Sequence, residues 1–138
     1  MSTSSRLTWP KADTFYDQGT VRKSNLLLEG RLLQARGQDD EAVARFAEAA
    51  RIEAELGEHC TKLGFTEMAH VHRYGAAGCW ALAGNIYEAL AVCDSLLEEG
   101  YLSQPLREHI TTYSQTLRAR RRQYYSGLEQ EASARETG

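Results

Sequence analysis

The chain has 138 residues and a formal net charge of −3; 42% of its residues are hydrophobic and 25% are charged. This composition is ordinary for a soluble domain with one core, and the charge argues against a protein that binds nucleic acid over its whole surface. No apolar run approaches the roughly 18 residues that a membrane span needs, and the N-terminus lacks the apolar segment of a signal peptide. Three irregularly spaced cysteines indicate free thiols in a reducing compartment, so we expect a cytoplasmic protein.

The first part of the chain, residues 1–19, is predicted to be a leader that precedes the folded domain. Trp9-Pro10 disfavours helix because the residue before a proline avoids the α region. Asp13 is a candidate cap for a short helical stretch. We expect Gly19 to interrupt or bend that stretch.

The rest of the chain reads as helices separated by glycine-containing turns. Helix-forming residues are abundant, the chain has only two prolines, and no segment alternates with a period of two, so the predicted class is all-α. We expect residues 57–64 to be a linker and residues 20–125 to form the folded domain. In chain order the predicted helices cover residues 20–36, 40–56, 66–83, 86–99 and 104–125, and a mobile tail follows at 126–138.

Two stretches of the chain share one pattern around a turn glycine. In each, a small residue lies seven positions before the glycine, and an alanine followed by an apolar residue lies five and six positions after it. The pattern consists of Gly30, Gly37, Ala42, Val43, Phe46 and Ala49 in the first stretch, and of Ala77, Gly84, Ala89, Leu90, Cys93 and Leu96 in the second. Repeated units of this kind are typical of stacked helical hairpins, whose small residues let paired helices approach closely.

The two units resemble the tetratricopeptide repeat (TPR) over residues 24–54 and 71–101. The matching small residues are Gly30, Ala42, Ala49, Ala77 and Ala89, and the matching large residues are Leu26, Leu33, Phe46, Trp80 and Leu90. The resemblance implies antiparallel helical hairpins stacked as a short right-handed array of about five helices, with the fifth helix closing the array. A four-helix bundle of two αα-hairpins is the alternative architecture, because it produces the same small-residue spacing.

The resemblance implies a non-catalytic protein–protein interaction module, acting as an adaptor, a scaffold or an assembly subunit. Such a module binds a peptide or helix of another protein in a groove, or it self-associates as a homo-oligomer. Arg31 and Tyr74 are the expected anchors for an acidic or aromatic group. An equal alternative is that the chain's own termini fill the groove. The residues expected to line the groove are Ser24, Leu27, Arg31, Gln34, Val71, Tyr74 and Gly78.

A metal-dependent enzyme is a second hypothesis. Glu67 and His70 have the Glu-x-x-His spacing of di-iron helical bundles, but that site needs a second such pair and the chain has none. The nearby histidines and cysteines match no structural zinc pattern. We therefore predict no catalytic residue, no metal and no cofactor.

A basic segment near the end of the last helix gives a third hypothesis. Its arginines are followed by Tyr124 and Tyr125, a combination that fits RNA, an acidic partner or a membrane surface. The simpler interpretation is a solvated helix end, where cations complement the helix dipole. The arginines of this candidate patch are Arg118, Arg120, Arg121 and Arg122.

Overall fold

The computed structural model describes residues 13–137, and this part of the chain folds into five α-helices with no β-strand. The predicted all-α class is confirmed. Each helix packs on the next along the chain, and α5 also contacts α3. The helices are α1 (Thr14–Ala35), α2 (Asp39–Lys62), α3 (Thr66–Leu82), α4 (Ile86–Leu97) and α5 (Gln104–Thr137). The expectation of extended chain around Trp9-Pro10 lies outside the described residues.

Small residues bring neighbouring helices into close contact, as the repeated pattern predicts. Ala42 and Ala89 are 1% and 0% exposed, respectively. A Cβ atom at Gly30 would lie 2.5 Å from Cε1 of Phe46, so only glycine lets α1 approach the Phe46 ring this closely. Ala49 and Ala77 are also fully buried. The close approach of paired helices is therefore confirmed at these positions.

Three of the four connections between helices are the same short turn. Each has a glycine with positive φ: Gly37 at 75°, Gly64 at 83° and Gly84 at 80°. In each, the N–H of the residue after the glycine donates to a carbonyl five residues earlier at 2.9 Å, as for Asn85 N–H and the Trp80 carbonyl. This is the Schellman arrangement, which satisfies the last carbonyls of the preceding helix. The second of these turns lies at the end of the predicted linker and was not foreseen as a copy of the other two.

The predicted interruption of the first helix is wrong, although its cap is confirmed. The Asp13 carboxylate accepts a hydrogen bond from Tyr16 N–H at 2.9 Å, so α1 begins directly after Asp13. Gly19 does not break the helix. A Cβ at Gly19 would lie 2.8 Å from Cδ2 of Leu56, so this glycine admits a side chain of α2.

The predicted linker at 57–64 is also wrong over most of its length, since α2 continues to Lys62. Gly57 lies in the helix interior and is buried. A Cβ there would come within 3.1 Å of Arg73 Cγ and 3.3 Å of the Ala69 carbonyl oxygen. Gly57 therefore permits close packing of α2 on α3. In the sequence alone, a glycine at this position suggests the end of a helix.

The last helix runs further than expected. The segment predicted as a tail at 126–138 belongs to α5 as far as Thr137. At the other end, Arg107 of α5 donates to the carbonyl oxygens of Leu97 (2.8 Å) and Glu99 (3.0 Å). This arginine satisfies carbonyls at the end of α4 and fixes the start of α5 against it.

Candidate interaction surfaces

The residues predicted to form one groove lie on two helices, α1 and α3, and the cavities that Tyr74 and Val71 line contain no residue of α1. On α1, Ser24, Arg31 and Gln34 are exposed. Leu27 is half-buried against the apolar cluster that includes Leu26 of α1. The α1 part of the predicted set is therefore a mostly polar, open helix face.

The α3 part of the predicted set faces α5. The ring of Tyr74 makes an edge-to-face contact with Tyr113 at 5.7 Å between centroids. Burial raises the pKa of the Tyr74 hydroxyl above its ordinary value. Val71 is 51% exposed and lines a small cavity with Leu106 of α5, and Gly78 is half-buried. Tyr74 therefore packs against α5 and also lines a cavity between α3 and α5.

A larger groove lies on another face, between α2 and α4 and above α3. It has a volume of about 740 Å³. Its lining includes large side chains, such as Trp80 and Arg73, and small residues from all three helices. The small residues are Ala54 and Gly57 of α2, Ala76 of α3 and Ala91 of α4.

One end of this groove is aromatic. Trp80 is half-buried in the groove wall, and the guanidinium carbon of Arg51 lies 5.6 Å from the centroid of its ring. This stacking holds the arginine at the rim and leaves its edge to form hydrogen bonds. Glu88 also lines the groove, so the rim carries both signs of charge.

Arg73 lies at the other end of the groove. Its guanidinium donates to a Glu99 carboxylate oxygen at 3.1 Å and to Ser95 Oγ at 2.8 Å. Glu58 and Lys62 lie exposed on the α2 side. Within residues 13–137, Arg73 therefore has a carboxylate partner, whereas no carboxylate lies within 4.0 Å of Arg51 or Lys62.

Sequence reasoning missed this groove because it assigned the binding surface to α1 and α3. A signal was present in the exposed alanines. Ala54 and Ala91 are on the outward faces of α2 and α4, where longer polar residues are usual. Small residues on such a face cover little surface and leave a channel beside their helix.

A second feature that the sequence analysis missed is a buried charged cluster between α1, α2 and α3. The Glu53 carboxylate accepts a hydrogen bond from His72 Nδ1 at 2.7 Å, and Lys23 Nζ lies 3.6 Å from its other oxygen. The Tyr16 hydroxyl and His72 Nε2 share a hydrogen bond of 2.8 Å. Glu53 is 6% exposed and His72 is 8% exposed.

The environment of Glu53 explains why a glycine stands opposite it. A Cβ at Gly75 would overlap the Glu53 carboxylate, so the carboxylate occupies the space that any larger residue would need. Glu53 also lies on the buried stripe of α2, between Ala49 and Leu56. A carboxylate in an apolar stripe was the available signal in the sequence, because buried charge requires partners on the facing helices.

A related pair closes the N-terminal edge of this region. His59 Nε2 lies 2.8 Å from an Asp13 carboxylate oxygen, and the Phe15 ring lies 4.7 Å from the imidazole. The hydrogen bond from His59, followed by the bond from Tyr16 N–H, lowers the pKa of the Asp13 carboxyl. The pair links the start of α1 to the end of α2.

The two residues of the proposed metal motif have different surroundings. Glu67 is exposed and His70 is buried, and both line a cavity of about 270 Å³ beside α5. Burial lowers the pKa of the His70 imidazole. Among residues 13–137, no group of three or more His, Cys, Asp or Glu side chains is arranged to hold a metal ion.

All three cysteines are free and buried. Desolvation raises the pKa of each thiol to about 11. Cys93 is fully buried in the apolar cluster of α3, α4 and α5, which agrees with its position in the repeated pattern. The thiols are protonated, packed core residues near neutral pH.

The predicted basic patch lies on α5. Arg118 pairs with Asp94 of α4 at 2.9 Å and 3.1 Å to the two carboxylate oxygens. Arg120, Arg121 and Arg122 are exposed beyond that point. Three of the four arginines therefore project from the part of α5 that follows its contact with Asp94.

No protein-family model, no curated protein and no solved structure matches this chain. None of the helices in residues 13–137 has both the length and the hydropathy needed to cross a membrane.

Proposed function

We propose that this protein is a non-catalytic interaction module that holds an amphipathic helix of a partner protein in the groove between α2, α3 and α4. In this proposal the stacked hairpins form a short TPR-like array, and the module acts in the cytoplasm. The three glycine turns support the array, because the same turn reverses the chain between successive helices, as in a repeat protein. The buried free thiols support a location in the cytoplasm, where thiols stay reduced.

The groove itself carries the proposal. The small residues in its lining, Ala54, Gly57, Ala76 and Ala91, let another backbone approach closely, as small residues do where helices pack tightly. A partner helix with one apolar face can therefore lie along the groove.

The rim indicates which polar groups the partner helix carries. Arg51 and Lys62 stand at opposite ends of the α2 wall, and Glu58 lies between them. Glu88 faces them from α4. A partner helix with carboxylates toward both ends and at least one basic residue between them complements this arrangement. Trp80 offers its ring to an apolar side chain of the same helix.

The test uses a steric block with a matched control. Ala54→Trp fills the groove from the α2 side, whereas Ala44→Trp places the same side chain on an exposed part of α2 outside the groove. Amphipathic helical peptides are selected from a library on the immobilised wild-type protein, and their affinity for each variant is measured by calorimetry. We expect Ala54→Trp to weaken binding by about tenfold or more, equal to about 1.4 kcal/mol, and Ala44→Trp to leave it unchanged.

The proposal fails if no selected peptide binds the wild-type protein, or if both tryptophan variants bind as tightly as the wild type. Thermal unfolding of both variants shows whether each retains the fold. Because Ala44 and Ala54 are both exposed, we expect both variants to unfold near the wild-type temperature.

A further inference from the structure

The C-terminal part of α5 extends beyond the helix on which α5 packs. α5 has 34 residues and α4 has 12, which at about 1.5 Å per residue gives lengths of about 51 Å and 18 Å. The ion pair of Arg118 with Asp94 lies where α5 leaves the bundle. We call residues 120–136 the α5 extension; they are exposed except for the half-buried Gly127.

The α5 extension carries an apolar stripe on one side. Tyr124 is 64% exposed, Tyr125 is 57% exposed and Leu128 is 43% exposed. Leu128 follows Tyr124 by four positions and Tyr125 by three, so the three side chains share one helix face. A helix of this length gains most of its stability in water from packing such a face against something else.

Charge on the α5 extension is divided between its two ends. Arg120, Arg121 and Arg122 precede the tyrosines, and Glu129, Glu131 and Glu136 follow them, with Arg135 as the one exception. A second copy in the same direction would place arginines beside arginines. A second copy in the opposite direction places arginines beside glutamates at both ends, which favours antiparallel pairing.

We propose that the α5 extensions of two copies of this chain pair antiparallel about a two-fold axis at Ser126, so that the protein forms a homodimer. Because the pair is symmetric, each contact occurs twice. Tyr124 of one copy packs on Leu128 of the other, and Arg121 faces Glu131 of the other. The pairing uses neither the groove nor any residue that lines it.

Gly127 supports the position of the axis. A Cβ at Gly127 would meet no atom within 4 Å, so nothing inside the monomer requires a glycine there. Glycine inside a helix is less favourable than alanine, because it loses more backbone freedom on folding. In the antiparallel pair, Tyr124 of the second copy packs on Leu128 and lies beside Gly127, and the missing side chain leaves room for its ring.

The first experiment reverses charge on the whole chain and measures mass by sedimentation. We expect the wild type to reach twice its monomer mass of 15.5 kDa as its concentration rises. Two variants reverse the charge at one end: one changes Arg120, Arg121 and Arg122 to Glu, and the other changes Glu129, Glu131 and Glu136 to Lys. We expect the self-association of each variant to be weaker than that of the wild type by at least about tenfold. An equimolar mixture of the two variants should restore the dimer.

The second experiment tests direction. In the proposed pair Arg121 of one copy faces Glu131 of the other, while the native cysteines are buried. Under mild oxidation we expect a covalent dimer when Arg121→Cys and Glu131→Cys variants are mixed, and none from either variant alone. Cross-linking of each variant with itself indicates a parallel pair, in which like residues face each other, and overturns the proposal.

The third experiment tests the apolar stripe against a matched control. Tyr124→Ala with Leu128→Ala should weaken the dimer, whereas Tyr87→Ala with Tyr101→Ala, which removes two exposed tyrosines elsewhere, should not. A wild type that stays monomeric at high concentration overturns the proposal. So does a monomer that binds RNA through the arginines, since the extension is then a nucleic-acid site.

Discussion

The two ends of the bundle are held together by different chemistry. Where α1, α2 and α3 meet, the buried Glu53 carboxylate binds His72 and Lys23. Where α3, α4 and α5 meet, the core is apolar and includes Leu96 and Ile110, both fully buried. The interior of one junction thus contains an ion pair, whereas the interior of the other is apolar and its ion pairs, those of Arg73 and Arg118, lie at the partly exposed edge.

The difference lies in how each junction responds to change. A buried carboxylate requires its partners at fixed positions, because an unpaired charge in the interior is costly. An apolar junction requires only that its volume be filled. The first kind of contact selects one register of the helices, and the second tolerates substitutions of similar size.

The largest expected effect is at the polar junction. Glu53→Ala leaves His72 and Lys23 without their buried partner, and we expect it to lower the free energy of unfolding by about 3–5 kcal/mol. Chemical denaturation measures the loss. Changing Glu53→Met together with His72→Leu should recover part of it, because the carboxylate and the imidazole are then removed together; the recovery is incomplete because Lys23 and Tyr16 each lose a partner. A double variant as unstable as the sum of the Glu53→Met and His72→Leu single variants contradicts a coupled pair.

The next effect is at the apolar junction. Leu96→Ala should cost about 2–5 kcal/mol, because it leaves a cavity among residues that cannot close it fully. Leu96→Met, which nearly keeps the volume, should cost less than about 1.5 kcal/mol. Denaturation of both variants compares them directly, and equal losses would mean that volume does not control this junction.

The smallest expected effect concerns pH. Burial lowers the pKa of His70 below its ordinary value of 6.5, so the unfolded chain takes up this proton at higher pH than the folded chain does. His70 therefore contributes stability that is present above pH 6.5 and lost as the pH falls toward its folded pKa. His70→Gln should flatten the decline of stability below pH 6.5, and His109→Gln, at an exposed site, should leave it unchanged. Parallel slopes in all three proteins would argue against a contribution from His70.

Much of the secondary structure followed from local sequence signals. Asp13 begins α1, and Gly37 and Gly84 form turns, because caps and left-handed turns depend on a few neighbouring residues. Glycines at other positions misled the prediction. Gly19 and Gly57 look like interruptions, but each admits a group of a facing helix, and that facing helix is not visible locally.

The candidate binding surface was less predictable. Sequence spacing placed Tyr74 and Val71 on one face of α3, but it did not show that α5 packs beside them. The groove above Trp80 depends on how far α2 and α4 stand apart. That distance is set by side chains from three helices, and no single stretch of sequence contains it.

The sequence by itself determined that the chain is helical, where most of its helices turn, and which small residues are buried between helices. These features depend on local backbone preferences and on periodic burial. Only the tertiary structure decided that Glu53 meets His72, that a groove of about 740 Å³ lies over α3, and that α5 extends beyond α4. Each of these depends on helices distant in sequence, whose relative placement is fixed by the packing of many side chains together.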